Sequence, residues 1–148
     1  MNVSGRGYHG MVEIGPSFVI SGPDGVGFDL STSHGYDFNP HLFVGGGMGI
    51  TYIPDAYDIN DWPGYPDEVM INIYAEIRGY LLRSAVTPYL GLKLGSSFYP
   101  DGFVGANLEA AVGVRWNFSR DYAVNLALLC GSGMRGYGSL CIKVGFEF

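Results

Sequence analysis

Residues 26–38 alternate without a break. Val26, Phe28, Leu30, Thr32, His34, Tyr36 and Phe38 fall on one side, and Gly27, Asp29, Ser31, Ser33, Gly35 and Asp37 on the other. A period of two is the mark of a β-strand, because successive side chains leave a strand on opposite faces. The same period runs through residues 8–20, 42–53, 69–82, 86–99, 103–118, 122–131 and 136–148. Turn chemistry separates these runs: Ser21-Gly22-Pro23-Asp24-Gly25, Asn39-Pro40, and one long stretch, 54–67, with three prolines and several acids. The pattern predicts eight antiparallel strands joined by six short turns and one long loop.

The lengths narrow the choice. An ordinary strand has about 5–6 residues, whereas a tilted membrane-spanning strand needs about 9–11. The eight runs fit the second class. No apolar run approaches the 18 or so residues of a transmembrane helix. The 148 residues leave room for one domain, 1–148. Hydrophobic residues make up 47% of the chain but charged ones only 15%, against roughly 25% in soluble domains. That shortage suggests a surface that does not meet water. A net charge of −6 argues against a nucleic-acid partner.

Alternation alone does not say which face is inside; a soluble ligand-binding barrel alternates too, with its apolar face inward. Three features favour the inverted arrangement. The apolar faces carry no Asp, Glu, Lys or Arg, as lipid contact requires, since a charge at mid-bilayer costs about 2–4 kcal/mol. The lumen of an eight-stranded barrel holds few bulky groups, so the Gly- and Ser-rich faces fit inside and the leucine-bearing ones do not. Aromatics gather in two rims, Tyr36, Phe38, Tyr80, Trp116, Phe118, Tyr122, Phe146 and Phe148 at one, Phe18, Tyr52, Phe98, Tyr99 and Phe103 at the other. The fold class expected is all-β, an eight-stranded antiparallel up-and-down transmembrane β-barrel. An even strand number puts both termini on one side, the periplasmic side in this class, and the 54–67 loop outside the cell.

The segment Leu140 to Phe148 (LCIKVGFEF) alternates and ends on Phe. Together with Ser31 to Tyr52, Ala75 to Leu81 and Thr87 to Phe98, it resembles the small outer-membrane β-barrel family that includes the OmpA transmembrane domain and OmpX. The resemblance covers the whole chain and rests on patterns, not on catalytic signatures. It implies a Gram-negative outer membrane, contact with the bilayer and its lipopolysaccharide, and recognition of Phe146 and Phe148 by the barrel-assembly machinery. Met1 to Gly10 has no apolar signal core, so a mature form is expected, acting as a monomer.

The inward charges include Glu13, Glu76, Arg78, Lys93, Glu109, Arg115 and Lys143. If Leu82 opposes Thr87, Glu76 opposes Lys93; if Tyr99 opposes Phe103, Lys93 opposes Glu109. Closure of the barrel brings Lys143 near Glu13. A buried ion-pair network at mid-height follows, and it would rigidify and plug the lumen. Inward glycines such as Gly47 and Gly113 leave room for water.

The function expected is structural or surface-interacting; the alternative is a narrow porin-like channel for ions or small solutes. Enzyme activity is not expected, because Ser33 and His34 are adjacent and point to opposite faces. No metal or cofactor is expected either. Cys130 and Cys141 form no CxxC; one faces out and one in, which disfavours a disulfide. In the long loop, Tyr57, Asp61, Trp62 and Tyr65 are candidates to meet a partner.

Overall fold

A computed structural model of the chain describes residues 7–19, 26–53, 68–82, 84–98, 102, 104–119, 122–134 and 137–148. Its strands are β1 (Gly7–Val19), β2 (Val26–Asn39), β3 (Leu42–Ile53), β4 (Glu68–Tyr80), β5 (Val86–Phe98), β6 (Val104–Asn117), β7 (Ala123–Met134) and β8 (Tyr137–Glu147). Each pairs antiparallel with the next, and β8 pairs with β1 to close the barrel. Strand ends agree with the sequence pattern to within two residues except in β7, which continues past residue 131 to Met134. The run there is Gly-Ser-Gly-Met, which reads as a turn in isolation; pairing with β8 overrides that local preference.

We call the end where β1 begins and β8 finishes the near end, and the other the far end. The registers expected from the hairpins are those found: Glu76 faces Lys93, and Lys93 faces Glu109.

The β1–β8 seam differs from the other pairings. Its register runs Met11↔Glu147 to Ile14↔Val144 and resumes at Ser17↔Cys141, so Gly15 and Pro16 stand outside the ladder. Pro16 has no N–H to donate. At Gly15 the two strands nearly touch: a Cβ there would sit 1.7 Å from the Ile142 carbonyl oxygen, so only glycine fits. At the near end, Gly10 and Phe148 exchange backbone hydrogen bonds of 2.9 Å in both directions.

The faces are inverted relative to a soluble barrel. Val12, Leu30, Ile50, Ile73, Leu92, Val112, Leu128 and Ile142, one from each strand, are all exposed. Glu13, Arg78, Lys93, Lys143 and Glu147 are all buried, none above 4% exposed. Among the strand residues whose burial is described, no Asp, Glu, Lys or Arg side chain is exposed. Near the near end, Phe118, Tyr122, Phe146 and Phe148 form an outward chain of rings with centroids 5.7–6.4 Å apart. Tyr80, expected in this rim, instead points inward and is 3% exposed. It shares parity with Glu76 and Arg78, so the alternation that places them inside places Tyr80 there too. Phe98 and Tyr52 are exposed at the far end; Tyr99 and Phe103 lie outside the described residues.

One outward polar group is satisfied by its neighbours. Thr32 Oγ1 donates to the Met11 carbonyl, so it must accept from His34 Nε2, and His34 Nδ1 pairs with the Tyr8 hydroxyl. Both nitrogens of this outward-facing imidazole are thus paired.

Candidate functional site in the barrel lumen

The lumen is layered. At mid-height Glu13 of β1 meets Arg78 of β4 across the barrel, Nη2 donating to Oε1 at 2.7 Å. Arg78 Nε donates to Glu76 Oε1 at 2.6 Å. Lys93 Nζ donates to the same Glu13 oxygen at 3.4 Å and lies 3.9 Å from Glu109 Oε1. Glu13, Glu76, Arg78, Lys93 and Glu109 are therefore brought together. Among the described residues the second carboxylate oxygens of Glu13 and Glu76 and Nη1 of Arg78 have no hydrogen-bond partner; buried groups of this kind are commonly satisfied by water.

Two residues grouped with that network go elsewhere. Lys143 does not pair with Glu13; its Nζ lies 3.1 Å from Asp29 Oδ1 and donates to Ser31 Oγ at 3.3 Å. The cause is register: Glu13 faces Gly145, two residues beyond Lys143 toward the near end, while Lys143 reaches across β1 to β2. Arg115 sits lower, where Nε donates to Glu147 Oε2 at 2.9 Å.

That near-end layer was not legible as a unit. His9 Nδ1 lies 3.1 Å from Asp37, and Nε2 lies 2.9 Å from Glu147 Oε1. Tyr80 donates to Glu147 Oε1 at 3.4 Å. The members come from five strands, and Asp37 is beside a register shift in the β2–β3 ladder. Parity places His9, Asp37 and Glu147 inward, but their heights depend on the tilt of the strands around the barrel.

Three lumen cations lie over tyrosine rings: Arg78 over Tyr89 at 4.9 Å, Lys93 over Tyr74 at 4.7 Å and Arg115 over Tyr80 at 4.9 Å. The ring faces carry the negative end of the quadrupole, so each contact is attractive. Inward glycines make space for these rings. A Cβ at Gly47 would come within 2.8 Å of the Tyr74 ring, and one at Gly113 equally close to the Tyr89 ring. At those two positions the room expected for water is taken by aromatic carbon.

Above the mid-height layer, toward the far end, a cavity of about 60 Å³ remains. Part of its wall is one hydrogen-bonded chain. Asn107 Nδ2 donates to Ser97 Oγ at 2.7 Å, and Ser97 donates to Asn72 Oδ1 at 2.6 Å. Asn72 Nδ2 donates to Thr51 Oγ1 at 3.1 Å, and Thr51 donates to Asp29 Oδ2 at 2.9 Å. Five consecutive strands, β6 back to β2, are linked by side chains alone.

Ser33 and His34 do not converge. Ser33 is buried and pairs with the Tyr74 hydroxyl at 2.8 Å, while His34 is outside. Cys130 is exposed and Cys141 buried; both are free thiols. Among the described residues no three His, Cys, Asp or Glu side chains are grouped to hold a metal ion. Phe146 and Phe148 are exposed on the outer face. Tyr57, Asp61, Trp62 and Tyr65 lie outside the described residues.

No family model and no curated protein matches the chain. Solved structures do. Neisserial surface protein A (NspA) superposes with a TM-score of 0.74 at 17% identity, over 97% of this chain and 98% of that one. The outer membrane protein OprG from Pseudomonas aeruginosa gives 0.63 at 12% identity, covering 99% and 97%. The outer membrane enzyme PagL gives 0.58 at 10%, covering 95% and 98%. At such identities the likeness concerns architecture: the chain has the fold of the small eight-stranded outer-membrane β-barrels.

Proposed function

We propose that the chain is an outer-membrane β-barrel of a Gram-negative bacterium, with a structural or surface-interaction role and a lumen largely plugged by charged side chains, so that solutes do not pass through it. The observation that carries this reading is the inversion of the faces. A soluble monomer rarely exposes a contiguous apolar patch beyond a few hundred Å², whereas here exposed apolar side chains come from every strand around the barrel. Arg78 and Lys93, each 4% exposed or less, sit inside with carboxylates. Lipid is the solvent that favours this arrangement.

In this reading the near end faces the periplasm and residues 54–67 face the exterior, where Tyr57, Asp61, Trp62 and Tyr65 would meet a partner. The bilayer and its lipopolysaccharide contact the belt, Phe146 and Phe148 serve recognition by the barrel-assembly machinery, and the barrel works as a monomer without catalysis. Support for a closed lumen comes from Glu13 and Arg78, which meet across it at 2.7 Å with aromatic rings packed around them. Cell fractionation, a heat-modifiable gel shift and planar-bilayer recording test the proposal together. The expected result is outer-membrane recovery, a shift on boiling and no steady conductance. Steady channels would favour the narrow-pore alternative; a protein that stays folded in water without detergent would overturn both.

A further inference from the structure

The wall of the far-half cavity carries four charged side chains, two of each sign: Asp29, Lys93, Glu109 and Lys143. They come from four strands, β2, β5, β6 and β8. Asp29 and Lys143 are tightly paired at 3.1 Å. The other two are not. Lys93 has three N–H donors, and among the described residues its polar contacts are the 3.4 Å hydrogen bond to Glu13 and the 3.9 Å approach to Glu109. That 3.9 Å approach is also the only ion pair of Glu109 among the described residues. Two residues from Glu109 on the same strand is Asn107, whose Nδ2 donates to Ser97 and whose Oδ1 makes no hydrogen bond among the described residues. A buried ammonium and a carboxylate too far apart to hydrogen bond leave room for a group between them that accepts from one and donates to the other.

We propose that this cavity is a binding site for a small zwitterion. Its ammonium end lies against Glu109 and Asn107 Oδ1, and its carboxylate end against Lys93 and Lys143. Charge balance selects this class. The charges on its described wall cancel, so a simple cation or anion would add an uncompensated charge beside the buried Lys93 and Lys143, whereas a dipolar neutral molecule would not. Size selects the small members. A water needs roughly 10–15 Å³ of such space, so about 60 Å³ takes a molecule the size of glycine and rejects bulky side chains. The hydrogen-bonded chain from Asn107 to Asp29 holds the wall in shape before anything binds. The inference concerns the lumen and does not rest on the membrane reading above.

The experiment uses the full chain folded in detergent micelles, with folding checked by the gel shift. Side-chain ammonium NMR signals of Lys93 and Lys143 are followed during titration with glycine, and separately with acetate and with methylammonium, at constant ionic strength. Saturable shifts with glycine, with a Kd on the order of 1 mM, are expected. The two half-ligands should not saturate in the same range. Glu109→Gln, close in shape and outside the tight Glu13–Arg78 pair, should weaken glycine binding roughly tenfold or more. Shifts that stay linear up to about 100 mM glycine would mean that the cavity holds only water, and the proposal fails. It fails equally if methylammonium or acetate alone does as well as glycine, or if Glu109→Gln binds like the parent.

Discussion

Arg78 holds two carboxylates at once: Nη2 meets Glu13 Oε1 at 2.7 Å and Nε meets Glu76 Oε1 at 2.6 Å, and the guanidinium is 2% exposed. Removing it would strand two buried anions. Arg78→Met is expected to destabilise the folded barrel by about 3–5 kcal/mol, the cost of breaking a buried pair from one side. Adding Glu13→Gln and Glu76→Gln should return a large part of that loss. Urea midpoints of the refolded proteins in detergent or vesicles measure both. Loss confined to a few tenths of a kcal/mol would show that water compensates these carboxylates already.

Gly145 lies beneath the Asn125 side chain, whose amide atoms would be 2.6–2.9 Å from a Cβ placed there. Those are side-chain atoms that can be cut away. Gly145→Ala should cost about 1–3 kcal/mol by overpacking, and Asn125→Ala should relieve most of it in the double variant. A double-mutant cycle on unfolding free energies reads the coupling. Additive effects would mean that the Asn125 amide moves aside freely.

Leu92 faces outward near the middle of β5, whereas Leu81 lies just past the near end of β4. In a bilayer, Leu92→Arg is expected to cost about 2–4 kcal/mol and Leu81→Arg about 0–1. Folding titrations into phospholipid vesicles compare the two. Equal costs would contradict a belt centred on the strand midpoints.

Cys130 is exposed on the outer face and Cys141 is 3% exposed. In the folded protein an apolar maleimide in the micelle should label Cys130 and spare Cys141 until the barrel is unfolded. Mass spectrometry of digested samples gives the ratio. Rapid labelling of Cys141 in the folded state would place it outside.

Parity was the most legible property of this chain. Which face each of Glu13, Glu76, Arg78, Lys93 and Glu109 takes follows from counting by twos, and the Glu76–Lys93–Glu109 row follows from two turn registers. Height across the barrel was not. Lys143 pairs with Asp29 and not with Glu13, because strand tilt staggers neighbours and a lysine reaches over an intervening strand. The same stagger assembles His9, Asp37, Tyr80, Arg115 and Glu147 from five separate strands. Inward glycines were ambiguous for another reason. A residue without a side chain signals vacancy, but whether water or a ring such as that of Tyr89 fills it depends on a neighbour's rotamer.

The interrupted ladder between the first and last strands has a mechanical consequence. The β2–β3 and β7–β8 ladders shift register only close to their ends, while this one lacks teeth at Gly15 and Pro16, within the strand. Near the gap and below it, polar side-chain contacts tie the edges from within: Lys143 reaches over β1 to Asp29 on β2, and Glu147 on β8 meets His9 on β1. If the wall ever parts sideways, the missing teeth favour this seam, and side-chain contacts would resist the opening alongside the remaining peptide hydrogen bonds.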